Sequence, residues 1–161
     1  MPITVKFTGK SIQAIKMDIL RSVQDKIPRK IKIMALEYYH NSFQNQGFTD
    51  SSFQPWRSRK NEKRAAFLGK RVKYGRKDSA SNRGLLVKTG RLRRSIMGKI
   101  SGKSISIFTD VPYAKIHNEG GRAGRNHSAR IPRRQFMGVS QMLNKEIEHM
   151  ITVEMKNALT K

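Results

Sequence analysis

The sequence predicts an α+β domain: a central antiparallel sheet with N-terminal helices, a long basic arm or loop, and a C-terminal helix packed on the sheet. Three observations predict it. Apolar residues recur at helical spacing in the first third, alternate at period two around Gly102-Lys103, and return to helical spacing after Gly138. At 161 residues the chain can bury one core but hardly two, so residues 1–161 form a single domain with long excursions.

The elements follow in order. Ile3, Val5 and Phe7 alternate with Thr4 and Lys6 as in a short half-buried strand that Gly9 ends. Ser11 is a plausible N-cap. After it Ile12, Ile15, Ile19, Leu20, Val23 and Ile27 form one helical stripe, which Pro28 should interrupt. Ile31, Met34, Ala35, Tyr38, Tyr39 and Ser42 mark a second helix that Gly47 should stop.

Between residues 48 and 84 the periodicity vanishes, and this stretch reads as the arm. From Ile96 to Thr109 a two-residue turn at Gly102-Lys103 sets Ser101 opposite Ser104, Ile100 opposite Ile105 and Gly98 opposite Ile107. That register puts Ile96, Ile100, Ile105 and Ile107 on one face and Lys99, Ser101, Ser104 and Ser106 on the other, so one side is covered and one is wet. Residues 120–130, rich in Gly, Arg and Ser, read as a flexible basic loop. Val139, Leu143, Ile147, Met150, Ile151 and Ala158 then share one face of the final helix.

Composition narrows the function classes. Lys and Arg outnumber Asp and Glu by 34 to 11, a net charge of +23, while only 37% of residues are hydrophobic. Such self-repulsion opposes compaction and is relieved by nucleic acid, an anionic membrane surface or an acidic protein face; composition does not choose among them. The excess is local, because residues 57–103 hold seventeen Lys or Arg against Glu62 and Asp78. Cysteine is absent, which removes disulfides, thiolate metal sites and thiol catalysis. No apolar run approaches the roughly 20 residues of a membrane span, and residues 1–10 lack the apolar stretch of a secretory signal, so a cytoplasmic protein when made is expected.

Three landmarks stand in fixed order: Thr89-Gly90-Arg91-Leu92, Pro112-Tyr113-Ala114-Lys115-Ile116-His117, and Ile131-Pro132-Arg133-Arg134-Gln135-Phe136 followed by Met137-Gly138. With Phe43, Gly47, Phe48 and Trp56 upstream, they resemble the tail-completion and virion morphogenesis proteins of tailed bacteriophages over roughly residues 30–160. Arg133 stands where that family commonly has a small residue, and Met137 where it has Leu.

The resemblance implies a structural adaptor that assembles as a homo-oligomeric ring, hexameric or dodecameric, in the neck or at the head-proximal end of the tail around the DNA channel. It implies other neck, portal-adaptor or tail proteins as partners, a place in the virion after assembly in the host cytoplasm, and no activity on a substrate. Interface roles are expected at Trp56, Tyr113, His117, Pro132 and Phe136. The simpler reading is that each landmark stabilises the core of the chain itself.

Arg91, Arg93, Arg94, Lys99 and Lys103 crowd the approach to the central hairpin. They are candidates to line a lumen and neutralise DNA phosphates without reading bases, or to meet acidic partner proteins. A basic nucleic-acid-binding module of ribosomal or nucleoid type is the alternative from another class. It predicts a monomer or dimer with salt-dependent affinity for RNA or DNA.

No catalytic set, cofactor site or metal site is expected. His40, His117, His127 and His149 contain no pair at the spacing of a helical metal site, and His117 beside Asn118 has only Glu119 and Asp110 at hand for a nuclease role. Gly9-Lys10-Ser11 imitates the end of a phosphate-binding loop, but Thr4 occupies the position of the glycine it requires.

Overall fold

Helical backbone runs unbroken from residue 12 to residue 45. In the computed structural model, which describes residues 11–58, 84–102 and 104–160, α1 (Ile12–Arg21) passes through a π-helical segment (Ser22–Lys26) into α2 (Ile27–Asn45). Ser11 caps α1, its hydroxyl accepting from the Ala14 N–H at 3.2 Å.

Pro28 does not interrupt the helix, contrary to the sequence expectation. It occupies the first turn of α2, just after the π segment, where the Ile27 N–H reaches back five residues to the Ser22 carbonyl. The wider turn gives the proline ring room against the carbonyl four residues earlier, so the ring is absorbed without ending the helix.

Gln46, not Gly47, stops α2. It adopts a left-handed conformation, φ 57° and ψ 37°, and its N–H returns to the Ser42 carbonyl. Gly47 opens β1 (Gly47–Thr49), which pairs antiparallel with β2 (Phe53–Pro55). A Cβ there would lie 2.4 Å from the Phe53 ring and 2.6 Å from the Gln54 carbonyl oxygen, so the glycine is required by close approach.

The next described elements are a four-residue helix α3 (Arg91–Arg94) and the hairpin of β3 (Ile96–Ser101) with β4 (Ser104–Thr109). Gly90 takes φ 69°, a left-handed conformation open to glycine, and begins α3. The hairpin register is the one the turn predicts: Ser101 faces Ser104, Ile100 faces Ile105 and Gly98 faces Ile107. Ile96 is buried, Ile100, Ile105 and Ile107 are half-buried, and Lys99, Ser101, Ser104 and Ser106 are exposed. The covered face lies on α2.

Helix α4 (Ala114–Glu119) leads into β5 (Gly121–Ala123), a single 3-10 turn (Arg125–His127) and β6 (Ala129–Ile131). The expected flexible loop at 120–130 is therefore a ribbon, with Arg122 opposite Arg130 and Ala123 opposite Ala129. Left-handed Asn126 (φ 56°) and His127 (φ 53°) reverse the chain.

Helix α5 (Gln141–Thr160) closes the chain. Leu143 and Ala158 are buried on its inner side, with Ile147, Met150 and Ile151 half-buried, while Val139 lies outside the helix and is 82% exposed. Ser140 marks the boundary: its hydroxyl accepts from the Leu143 N–H at 3.2 Å, and the Asp50 carboxylate accepts from the Gln141 N–H at 2.9 Å.

α5 packs on α1 and α2 rather than on the sheet, because α2 already covers the hairpin. The protein is α+β, and among the described residues its strands form three separate two-stranded ribbons. The expected strand at Ile3–Phe7, residues 59–83 of the basic arm, and Lys103 lie outside the described residues.

Candidate functional site

All three sequence landmarks, together with Trp56, converge on one cluster. Phe43, Trp56, Leu85, Leu92, Ile96, Val111, Ala114 and Phe136 are buried against one another, and Phe136, 1% exposed, is its most enclosed hydrophobic side chain. The Phe43 ring meets Trp56 edge-on at 5.5 Å and Phe136 at 5.1 Å, geometry that adds to the value of burial alone.

Polar bonds hold residues 134–137 in this cluster from both sides. On one side, the Asn118 side-chain oxygen accepts from the N–H groups of Phe136 (2.9 Å) and Met137 (3.1 Å), and the Arg134 N–H donates to the His117 carbonyl at 2.8 Å. On the other, Trp56 Nε1 donates to the Gln135 carbonyl at 2.6 Å, and the buried Arg134 guanidinium donates to the Arg57 carbonyl from Nε (3.2 Å) and Nη2 (3.0 Å). These bonds satisfy the backbone groups of residues 134–137 that they reach, whereas the buried His117 Nδ1 beside them has no hydrogen-bond partner among the described residues.

Gln46 ties in a further segment. Its side-chain oxygen accepts from the Leu85 N–H, its amide donates to the Phe43 carbonyl at 2.6 Å, and its own carbonyl accepts from the Trp56 N–H at 2.7 Å.

Trp56 and Phe136 thus anchor the core of the chain. Pro132 is half-buried at the approach to the cluster, and His117 is half-buried in α4. Tyr113, 41% exposed, crosses His117 edge-on at 5.9 Å. Burial, and then the Arg134 charge, lower the His117 pKa below its usual 6.5, while burial and the Arg93 charge do the same at His40. Both imidazoles are neutral at pH 7. At the start of α4 a cleft of about 240 Å³ is lined by Pro112, Lys115, Glu119, Phe136 and Met137 among others, and Tyr113 is not part of its lining.

The basic candidates are partly brought together. Arg91, Arg93 and Arg94 share α3, where Arg91 and Arg94 are exposed and Arg93 is half-buried. Arg94 Nη2 donates to the Thr89 carbonyl at 2.9 Å, which holds that turn in place. Lys99 stands on the uncovered face of β3. A second basic face comes from the ribbon β5–β6, where Arg122, Arg125 and Arg130 are exposed.

Sequence reading also missed a carboxylate. Glu154, buried on α5, meets Lys26 Nζ at 2.6 Å and is also bonded by Lys30, joining α5 to the π segment and α2. Those two bonds hold its carboxyl below the usual carboxylate range. Its position within the tail helix, with Lys26 and Lys30 one helical turn apart, was the available signal.

Among the described residues no group of three or more His, Asp or Glu could hold a metal ion, and no helix is long and apolar enough to cross a membrane.

Comparison with known proteins bears on the whole arrangement. Mu-like prophage FluMu G protein 2 of Haemophilus influenzae is 40% identical over 52 residues, 32% of this chain and 38% of that protein. The chain therefore aligns with less than half the length of that relative. No solved structure matches. The profile of the phage virion morphogenesis family matches residues 34–156, a span that begins inside α2, ends inside α5 and contains every member of the Phe136 cluster. A match over more than half of the chain, taking in its core and both flanking helices, places this protein in the phage virion morphogenesis family.

Proposed function

We infer that the chain is a structural component of a tailed phage particle that acts in tail completion or head–tail joining, assembling as a ring in the neck or at the head-proximal end of the tail. The observation that carries this reading is the family match over residues 34–156. The prophage origin in the name of the H. influenzae relative supports it. So does a net charge of +23, which a particle full of nucleic acid and acidic neighbours would compensate.

In this reading the Phe136 cluster keeps each subunit rigid and its outer surfaces do the work. Tyr113 and the cleft beside it face neighbouring subunits or other neck, portal-adaptor and tail proteins. Arg91, Arg94 and Lys99 face the channel and meet packaged DNA through phosphates alone. Such contacts are weak by design, because a duplex has to pass. The chain needs no cofactor and performs no catalysis in this role.

Particles made without the gene test the reading. Unjoined heads and tails in micrographs, with the protein present in wild-type virions, are the expected result; intact infectious particles would overturn it. Titration with duplex DNA at several salt concentrations tests the channel face. Binding that weakens as salt rises and tolerates any sequence is expected, and no binding at low salt removes that face from the account.

A further inference from the structure

The ribbon β5–β6 carries a contradiction in its own register. Arg122 and Arg130 lie directly opposite each other on antiparallel strands, so their side chains leave the same face with Cβ atoms about 5 Å apart. Like charges in that position destabilise a ribbon. Both are exposed, and among the described residues neither pairs with a carboxylate. The other basic candidates differ: Arg94 is bonded to the Thr89 carbonyl and Arg93 is half-buried beside His40. The two opposed arginines are a docking face waiting for two acceptors.

The same chain offers them elsewhere. Glu37 on α2 and Glu146 on α5 are exposed, and both line a polar cleft of about 340 Å³ with Tyr38, Asn41, Asn45 and Thr49. Among the described residues neither glutamate has an ion-pair partner, although the chain holds 34 Lys and Arg against 11 Asp and Glu. Two carboxylates flanked by amide and hydroxyl oxygens accept guanidinium forks well. The cleft is built from α2, β1 and α5, whereas the ribbon packs on α4.

We propose that the Arg122/Arg130 face of β5–β6 docks into the Glu37/Glu146 cleft of a second copy of this chain, as the head-to-tail contact between subunits. This deepens the ring reading and rests on it. Because ribbon and cleft are different surfaces, the contact is heterologous, and such contacts propagate around a ring when the rotation closes. A chain of net charge +23 repels its own copies. A contact that spends scarce carboxylates on an arginine pair is the kind that lets copies approach, and it fixes their orientation.

Charge reversal in the full-length protein tests this. Arg122→Glu with Arg130→Glu keeps a like-charged pair in the ribbon, so folding, checked by thermal melting, should change little. Self-association in sedimentation should weaken by about tenfold or more. Glu37→Arg with Glu146→Arg should weaken it similarly, and the chain carrying all four substitutions should regain most of the association.

Wild-type association that persists through both reversals overturns this contact and leaves the ring intact. A wild-type chain that is monomeric at all concentrations overturns both. One other result also overturns it: the ribbon reversal removes duplex DNA binding and leaves association unchanged.

Discussion

Residues 131–138 and the ribbon that precedes them are neighbours in the chain and opposites in chemistry. Residues 134–137 are fixed from two sides by Asn118, His117, Trp56 and Arg57, and Phe136 is 1% exposed. The ribbon is exposed at nearly every position and sets arginine against arginine. One region is held by bonds within the chain, while the other presents its charges to solvent. The landmark residues are therefore ones that build the core, and in the proposed reading the working surfaces lie between them.

The sharpest way to break that contrast is Phe136→Ala. Removing a fully buried ring from a cluster that includes Phe43 and Trp56 should cost about 3–5 kcal/mol, a large share of the roughly 5–15 kcal/mol that holds a domain folded. Thermal denaturation reads the loss directly. A melting temperature close to wild type would place Phe136 outside the core and return it to the role of an interface anchor.

Asn118→Ala ranks next. It leaves the Phe136 and Met137 N–H groups without their acceptor in a part-buried site, and should destabilise by about 2 kcal/mol. The expected signature is faster amide exchange at those two positions. Exchange equal to wild type would show that the clamp does not depend on this side chain.

How much of this was legible in the sequence varies with what each residue answers to. The β3–β4 register could be counted outward from Gly102 because a two-residue turn and period-two burial both constrain it. The amphipathic α2 and α5 were legible for the same reason, their stripes being long. Pro28 departs from the local rule about proline because the π segment that accommodates it is not a local signal.

The placement of α5 on α1 and α2 depends on which partner the hairpin leaves free, a question no single segment contains. Residues 120–130 read as a loop in sequence because three-residue strands fall below the length at which alternation is visible. Within the candidate site, Trp56 and Phe136 were found by their motifs, but their side of the surface was not. Asn118 and Gln46 act through long-range bonds with no local pattern to announce them, and Glu154 through bonds whose one local sign is the Lys26/Lys30 spacing.

Acid should erode the rigid half in two steps with the same sign. His40 and His117 have pKa values lowered below 6.5, so the folded chain prefers the neutral rings more than the unfolded chain does. Their contribution is complete above pH 6.5 and is lost as pH falls below it. Glu154 is held below its usual 4.5 by Lys26 and Lys30; its contribution is complete above pH 4.5 and is lost as pH falls through the depressed value. Melting temperature should therefore decline below pH 6.5 and decline further below 4.5. His117→Gln should flatten the first limb and Glu154→Gln the second. A profile that rises on acidification would contradict both assignments.

The smallest effect expected of the isolated chain is the most informative about the exposed half. Replacing Arg122 and Arg130 together by Thr removes the like-charge pair and substitutes β-branched side chains that pair well across antiparallel strands. Chemical denaturation of dilute protein should show stability unchanged or raised by about 0.5 kcal/mol. A substitution that improves the subunit while impairing its assembly would locate the reason for the arginines outside the fold. A loss of 1 kcal/mol or more, by contrast, would mean that the arginines support the ribbon itself, and the division between a rigid core and an exposed surface could no longer be drawn at Ile131, where the two regions meet.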